Sequence, residues 1–247
     1  MTMAGTHDTN ESQGGTPLSL NLWPIIIVNS ITIAGMGALS LWAHGQVPAG
    51  TQVPVHWNFE GVADRFGDIR EVIYIMPALA IAMTALFLIL PRLDPRRDNL
   101  AASGKFWNAG GILSALLIAY VHAIMVMNAT GWKIDMVSAL VPALCVMFAV
   151  IGNYLGKTRP NWFGGVRTPW TMSSDYAWEK THRLAGRLFV LSAVAGLGAW
   201  AVLGAIPGIV ALVAGVTGGA IISVIASWFY WKRSEERRVG KECRMPC

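Results

Sequence analysis

A short polar run between two apolar stretches carries side chains of the kinds that recognise ligands. His56, Trp57, Asn58 and Asp64 place an imidazole, an indole, an amide and a carboxylate within nine residues. Aromatic and polar groups on a surface loop are suited to binding a peptide or a lipid headgroup. The run therefore indicates a binding surface for a ligand outside the cytoplasm.

The same run has a simpler interpretation as a shaped turn. Pro54, Gly61 and Asp64 are typical turn residues, and the side chains of His56 and Asn58 can hydrogen-bond the turn's backbone. Both interpretations stay open from the residues alone.

A metal site is a third interpretation of this region. His44, His56, Asp64 and Asp68 have suitable ligand groups, but their spacing matches none of the usual ligand patterns. We therefore predict no metal and no other cofactor.

Apolar side chains alternate with other residues just before the turn. Val53, Val55 and Trp57 take every second position. A period of two predicts a short extended segment, which we place at the membrane surface.

Cations and aromatic rings are mixed in a second long polar run, from Gly152 to Arg187. The first half of this run contains Lys157, Arg159, Arg167, Trp162, Phe163 and Trp170. Cations suit lipid phosphates and rings suit the membrane interface, so anchoring is one interpretation. The other is a docking site for a cytoplasmic protein or an anionic lipid, because the run holds more cations and tryptophans than a tether needs.

The second half of this run predicts a helix. Ser173, Ser174 and Asp175 can cap it and place negative charge at its N-terminus. Helical spacing puts Trp178, His182 and Ala185 on one face and Lys180, Arg183 and Arg187 on another. We expect an amphipathic helix that lies on the surface and leads into the next membrane span.

The hydrophobic composition indicates that these two polar runs connect transmembrane helices. The chain is 54% hydrophobic and 13% charged, whereas a soluble domain has about a quarter charged residues. Apolar stretches of roughly 20 residues predict transmembrane helices. The predicted spans are about 22–43, 72–90, 107–128, 136–154, 188–203 and 209–231.

These spans predict one all-α membrane domain over residues 21–233, a bundle of six transmembrane helices. Gly204 to Gly208 contains Pro207 and favours a tight turn between the last two spans. The rival interpretation is one long broken helix, which would leave five crossings.

The distribution of Lys and Arg predicts the orientation. Of 19 such residues, 16 fall on one side of the six spans and three on the other. Cytoplasmic loops collect Lys and Arg, so both termini and the inner loop 155–187 are expected inside and the outer loop 44–71 outside. The net charge of +5 reflects this orientation, and we expect no direct contact with nucleic acid.

The chain ends and the cysteines carry less information. Residues 1–20 are polar and predict a disordered cytoplasmic tail, whereas residues 234–247 are highly charged and resemble a non-native tail. The three cysteines, Cys145, Cys243 and Cys247, show no disulfide or metal pattern.

Two features inside the spans concern helix packing. His122 is a polar residue in the third span, for which we expect a hydrogen bond to a neighbouring helix. The pairs Gly204/Gly208 and Gly215/Gly219 have the spacing that allows two helices to approach closely.

The two polar runs resemble the SdpI family of bacterial membrane proteins, which act in immunity and signal transduction in sporulation-delay toxin systems. The outer run, PVHWNFEGVAD from Pro54 to Asp64, is similar to a small domain of unknown function that recurs in this family and elsewhere. The inner run begins GNYLGKTRPNWFGGVRTPW at Gly152 and is more distinctive. The resemblance covers about residues 20–232.

The resemblance implies protection against a secreted peptide toxin and capture of a cytoplasmic repressor at the bacterial inner membrane. It implies a toxin-facing element formed by Pro54, His56, Asn58, Gly61 and Asp64. It also implies an inner signature, where a partner would bind, made of Asn153, Gly156, Lys157, Arg159, Asn161, Gly164, Arg167, Thr168, Trp170, Trp178, Thr181, His182 and Arg183.

Two other functional classes are weaker from the residues. A small transporter or exporter component would need paired charges or broken helices near the membrane midplane. His122 is the only histidine or charged residue within a predicted span. A membrane enzyme would need a nucleophile with a base, or a metal site, and neither HExxH nor GxSxG occurs. We therefore expect a non-enzymatic protein whose oligomeric state is open.

Overall fold

Six long helices make up most of the structure, a computed structural model that describes residues 19–48, 50–58 and 60–242. They are α1 (Trp23–Gln46), α2 (Ile69–Leu93), α4 (Gly104–Ala129), α5 (Met136–Leu155), α7 (Asp175–Leu203) and α8 (Ala205–Glu242). Two short helices, α3 (Arg97–Ala102) and α6 (Pro169–Ser173), and two strands, β1 (Gln52–Trp57) and β2 (Ala63–Asp68), complete the fold. Each long helix is long and apolar enough to cross a membrane, which confirms the predicted six-helix membrane protein.

Large apolar side chains cover the outside of the bundle. Ile31, Leu191 and Val202 are 69%, 63% and 81% exposed. Such surfaces are costly in water and suit the hydrocarbon region of a bilayer, so they face lipid. The predicted tail over residues 1–20 lies almost wholly outside the described residues.

Polar side chains tie α1, α2 and α4 together. The Asn29 amide, in the N-terminal half of α1, donates to the Thr84 hydroxyl at 3.0 Å and to the Gly111 carbonyl at 3.3 Å. Farther along α1, the Ser40 hydroxyl donates to the Ile73 carbonyl at 3.1 Å and lies 3.1 Å from His122 Nε2. The predicted hydrogen bond from His122 to a neighbouring helix is therefore confirmed.

Glycines bring α5, α7 and α8 into close contact. Gly152 and Gly186 meet backbone to backbone, since a Cβ on Gly186 would lie 2.4 Å from the Gly152 carbonyl oxygen. Between α7 and α8, a Cβ on Gly215 would lie 2.5 Å from Ser192 Oγ, and one on Gly219 would lie 2.9 Å from Leu188 Cβ. Small residues allow helices to approach closely in a membrane, where van der Waals packing replaces the hydrophobic drive.

The turn between α7 and α8 is shorter than predicted. Gly204 alone forms it, with φ of +98°, a conformation that favours glycine. The contacts from α8 back to α7 run antiparallel, with Gly208 against Trp200 and Gly219 against Leu188. This hairpin supports six crossings over five, and it shows that Gly204 shapes the turn while the other three predicted glycines pack on α7.

The outer loop forms an antiparallel β-hairpin. Val53 pairs with Gly67 and Pro54 with Phe66, and the register shifts around His56. Val53 is buried and Val55 and Trp57 are partly buried, all packed on the clustered ends of α1, α2, α4 and α5. The predicted extended segment is confirmed, and β2 is an additional element that its polar sequence did not indicate.

Asp68 connects the hairpin to α2. Its carboxylate accepts from the Arg70 backbone N–H at 2.8 Å and pairs with the Arg70 guanidinium at 3.0 Å. These hydrogen bonds lower the pKa of Asp68 from 3.8 to about 2. Because the folded pKa is the lower one, this helix cap contributes at neutral pH and is lost only as the pH falls towards 2.

The helix that was expected to lie along the membrane surface is instead the first part of α7. Residues 175–203 form one continuous helix, and its Trp178, His182 and Ala185 face is buried by protein. This apolar face packs against α5 and the inner loop, so it is not available to lie on the membrane surface. The non-native interpretation of residues 234–247 stays a prediction; α8 continues to Glu242, and residues 243–247 lie outside the described residues.

The orientation itself can be measured by cysteine labelling. With Cys243 and Cys247 replaced by serine, a membrane-impermeant maleimide should label Gln52→Cys in intact cells. Ser173→Cys should react only after permeabilisation, because six crossings put the hairpin and α6 on opposite faces. Both side chains are exposed in the structure. Labelling of Ser173→Cys in intact cells would show that the predicted orientation is wrong.

Candidate functional site

Asn58 shapes the tip of the hairpin. Its side-chain oxygen accepts from the backbone N–H groups of Glu60 at 3.0 Å and Val62 at 2.9 Å. The backbone N–H of Asn58 donates to the Val62 carbonyl at 2.8 Å. Gly61 has a φ of +80° and packs on Val137 at the start of α5. These two residues therefore act as turn formers, as the simpler interpretation expected.

His56 and Asp64 form a polar pair across the two strands. His56 Nδ1 lies 2.6 Å from Asp64 Oδ1, and the side chains are 62% and 43% exposed. The second ring nitrogen of His56 has no hydrogen-bond partner in the described part of the chain. An imidazole held by a carboxylate presents this nitrogen in a defined direction to a ligand.

An apolar pocket of about 420 Å³ lies beside this pair, between the hairpin and the membrane helices. Val55, His56, Trp57 and Asn58 form its hairpin wall. The helix wall is contributed by α2, α4, α5 and α8 through Met76, Val121, Met125, Met136, Val137, Leu140 and Ile209. Ligand pockets are typically apolar with a few polar groups at the edge, and this one follows that composition.

The pocket brings together only part of the predicted outer site. His56, Trp57 and Asn58 line it, and Asp64 reaches it through His56. Pro54 and Gly61 do not line it. Sequence reasoning missed its helix wall, because residues such as Met125 look like any other apolar residue of a span.

At the opposite end of the bundle, Asn161 organises the inner loop. It is fully buried, and its oxygen accepts from the backbone N–H groups of Phe163 at 3.0 Å and Gly164 at 2.7 Å. Its amide donates to the Arg159 carbonyl at 2.9 Å. One side chain thus satisfies three backbone groups of the loop, which explains a buried polar residue there.

His182 joins the loop to α7. Its Nε2 accepts from the Val166 N–H at 2.9 Å, and its Nδ1 donates to the Trp178 carbonyl at 2.8 Å. The ring stacks on Trp178 with a centroid distance of 4.0 Å. With one nitrogen accepting and the other donating, the ring is neutral, and its role in this position is structural.

Trp170 and Thr168 join the loop to α8. Thr168 forms a capping box with Thr171 at the start of α6. The Trp170 indole N–H donates to the buried hydroxyl of Ser227, and Thr168 lies 3.4 Å from the same hydroxyl. The loop is therefore held by side chains of both α7 and α8.

Residues outside the predicted set also hold the loop, among them Asp94 and Ser103. Asp94, at the end of α2, is buried and accepts from the N–H groups of Arg96 at 2.7 Å and Trp162 at 3.1 Å. The Ser103 hydroxyl accepts from the Arg159 N–H at 2.9 Å. The only available signal was that Asp94 stands before a proline at a helix end, which also fits an ordinary loop.

Most of the predicted inner residues fall into two groups by exposure, and Gly156, Thr168 and Trp170 are half-buried. Asn161, Gly164, Trp178, Thr181 and His182 are buried and are not accessible to a partner. Asn153, Lys157, Arg159, Arg167 and Arg183 are exposed and can contact a partner. Within residues 19–48, 50–58 and 60–242, no group of three or more His, Cys, Asp and Glu side chains is placed to hold a metal ion.

The fold defines a class of multi-pass membrane protein that has a β-hairpin at one end and a hydrogen-bonded loop at the other. Residues 157–229, from the inner loop through most of α8, match the model of the SdpI/YfhL protein family, so this part of a multi-pass membrane protein is similar to that family. Residues 31–81, which include the hairpin, match a domain of unknown function, DUF1648. No curated protein and no solved structure matches the chain.

Proposed function

We propose that this protein is a non-enzymatic immunity and receptor protein of a bacterial inner membrane, which protects against a secreted peptide toxin. The observation that supports it is the apolar pocket under the β-hairpin, at the end of the bundle that the charge distribution places outside. Its volume of about 420 Å³ falls in the usual range for ligand sites, roughly 300–1,000 Å³.

A peptide can use both parts of this pocket. An apolar side chain enters between Trp57 and the helix wall, where burial of apolar surface favours binding. His56 and Asp64 stand at the rim and can hydrogen-bond the peptide backbone or a polar side chain. Removing toxin from the lipid by this route would protect the membrane without any chemical reaction.

The inner loop supplies the docking surface for a cytoplasmic repressor in this proposal. Arg159 and Arg167 are exposed on a loop whose buried residues hold it in one conformation. Exposed cations steer an acidic partner and raise its association rate. A loop fixed by Asn161 and His182 needs little ordering when a partner binds.

Helix α8 connects the two ends. Ile209 lines the outer pocket, and Ser227 bonds Trp170 in the inner loop. A ligand that displaces the outer end of α8 would therefore act on the loop through a single rigid element, which is a sufficient route for coupling when the helix has two positions.

Protection of a sensitive bacterial host tests the proposal. Cells that express the protein are challenged with a sporulation-delay-type peptide toxin, and the lethal concentration is compared between variants. Leu140→Trp fills the pocket, and His56→Ala removes the rim imidazole. We expect each to lower protection about tenfold or more, as for the loss of a central binding contact.

Gln52→Ala is the matched control, because Gln52 is exposed on the same strand and does not line the pocket. It should protect as the wild type does. Membrane levels of every variant are measured by immunoblot. Equal protection by Leu140→Trp and wild type at equal levels would rule out the pocket as the toxin site.

A further inference from the structure

A second groove, of about 590 Å³, lies on the outside of the bundle between the inner ends of α5 and α7. Gly152, Gly156 and Gly186 form its floor, where the two helices touch. The inner ends of these helices are the ones that the charge distribution places at the cytoplasmic surface of the membrane. The groove therefore opens sideways to lipid at headgroup depth.

Three cations line this groove. Lys157 lies two residues after the end of α5, and Arg183 and Arg187 lie one turn apart on α7. Arg183 is paired with Glu179 at 2.8 Å. Within the described residues, Lys157 and Arg187 have no carboxylate within salt-bridge distance. The groove thus carries a positive charge that its own residues do not neutralise.

The groove becomes apolar towards the membrane interior. Val190 and Leu191 continue the α7 stripe one turn beyond Arg187. Leu191 is 63% exposed. On α5, Asn153 also lines the groove. Cations at one end and apolar side chains at the other match a ligand with a charged head and a hydrocarbon tail.

We propose that this groove binds one anionic phospholipid of the cytoplasmic leaflet. The headgroup phosphate lies between Lys157, Arg183 and Arg187, and an acyl chain lies along Val190 and Leu191. Arg–phosphate pairing gives strong charge-assisted hydrogen bonds, and basic pockets between helices on the cytoplasmic side suit lipid headgroups. This site is separate from the toxin pocket, and its existence does not depend on that function.

Lipid selectivity of the purified full chain tests the site. The protein is delipidated in detergent and titrated with phosphatidylglycerol or phosphatidylcholine, and bound lipid is counted by native mass spectrometry. The wild type should prefer phosphatidylglycerol. The triple variant Lys157→Gln/Arg183→Gln/Arg187→Gln should bind it about a hundredfold more weakly, because each cation removed lowers the affinity about fivefold.

The control removes the same charge elsewhere on the same side. Arg97→Gln/Lys180→Gln/Lys232→Gln leaves the groove intact and should keep the preference. If the groove variant does not fold, Arg187→Gln alone replaces it, with an expected loss of about fivefold. Equal losses in the groove variant and the control, or no loss in either, would overturn the proposal. Displacement of the lipid by millimolar glycerol phosphate would also overturn it, because the ligand would then be a soluble phosphate.

Discussion

Gly186→Ala should destabilise the folded protein by about 3 kcal/mol or more, at the upper end of the cost of overpacking. The added Cβ would lie 2.4 Å from the Gly152 carbonyl oxygen, and it would also approach the Gly156 nitrogen at 3.4 Å. These atoms belong to the backbone, so no side-chain rotation can relieve the overlap. Helix α5 must move away from α7, and the packing between them is lost.

Unfolding in detergent, followed by thermal denaturation or by titration with a denaturing surfactant, measures this effect. Gly198→Ala is the matched control in the same helix, because a Cβ there meets nothing within 4 Å. Alanine favours a helix over glycine by about 0.5–1 kcal/mol, so the control should be neutral or slightly stabilising. Similar stabilities for the two variants would show that the α5–α7 contact is not as close as described.

Gly165→Ala should disrupt the inner loop. Gly165 has a φ of +107°, and a Cβ there would lie 2.1 Å from His182 Nε2. An alanine therefore meets an unfavourable backbone conformation, costing about 1–2 kcal/mol, and a collision with a buried ring. The Val166–His182 hydrogen bond cannot survive both, and the loop should detach from α7.

Limited proteolysis of the protein in detergent detects the detached loop. Cleavage by trypsin after Lys157 and Arg167 should become at least about tenfold faster, because proteolysis follows the population of the open form. Gly131→Ala separates the backbone strain from the collision with His182. Gly131 also has a positive φ, of +100°, but it has open space around it. It should suffer the backbone cost alone and leave the inner loop resistant.

A double variant tests directly whether a side chain at position 165 would collide with His182. His182→Ala removes the ring that the new Cβ would strike, so adding Gly165→Ala to it should cost much less than Gly165→Ala costs in the wild type. Additive effects of the two substitutions would mean that the residues do not touch, which would contradict the contact on which the inner loop depends.

The membrane spans were predictable because their signal is local. A run of about 20 apolar residues has to be helical in lipid, where every backbone group needs an internal partner. The structure extends most of the predicted spans by a few residues, as at Ile69–Glu71. The last two differ more, because α7 begins at Asp175 instead of residue 188 and α8 continues to Glu242 instead of residue 231. The turn residue Gly204 was also predictable, since proline and glycine mark helix ends in the sequence itself.

The sites were predictable only in part. The residue types of His56, Asn58 and Asp64 pointed to the hairpin, but their partners depend on how two strands pair across a turn. The inner run seemed a collection of exposed cations and rings, whereas Asn161, Trp178 and His182 are buried. The loop that contains Asn161 is also held by Asp94, Ser103 and Ser227, which are distant in the chain and have no local pattern in common.

The amino-acid sequence by itself determined that the chain spans a membrane and which residue types stand at each end, because hydropathy and charge act along the chain. Tertiary structure alone decided which side chains meet. The outer pocket joins the hairpin to four helices, and the cationic groove joins α5 to α7. Such contacts arise from helix packing, where a single methyl group on Gly186 would separate α5 from α7. The local sequence pattern does not determine how closely two helices approach.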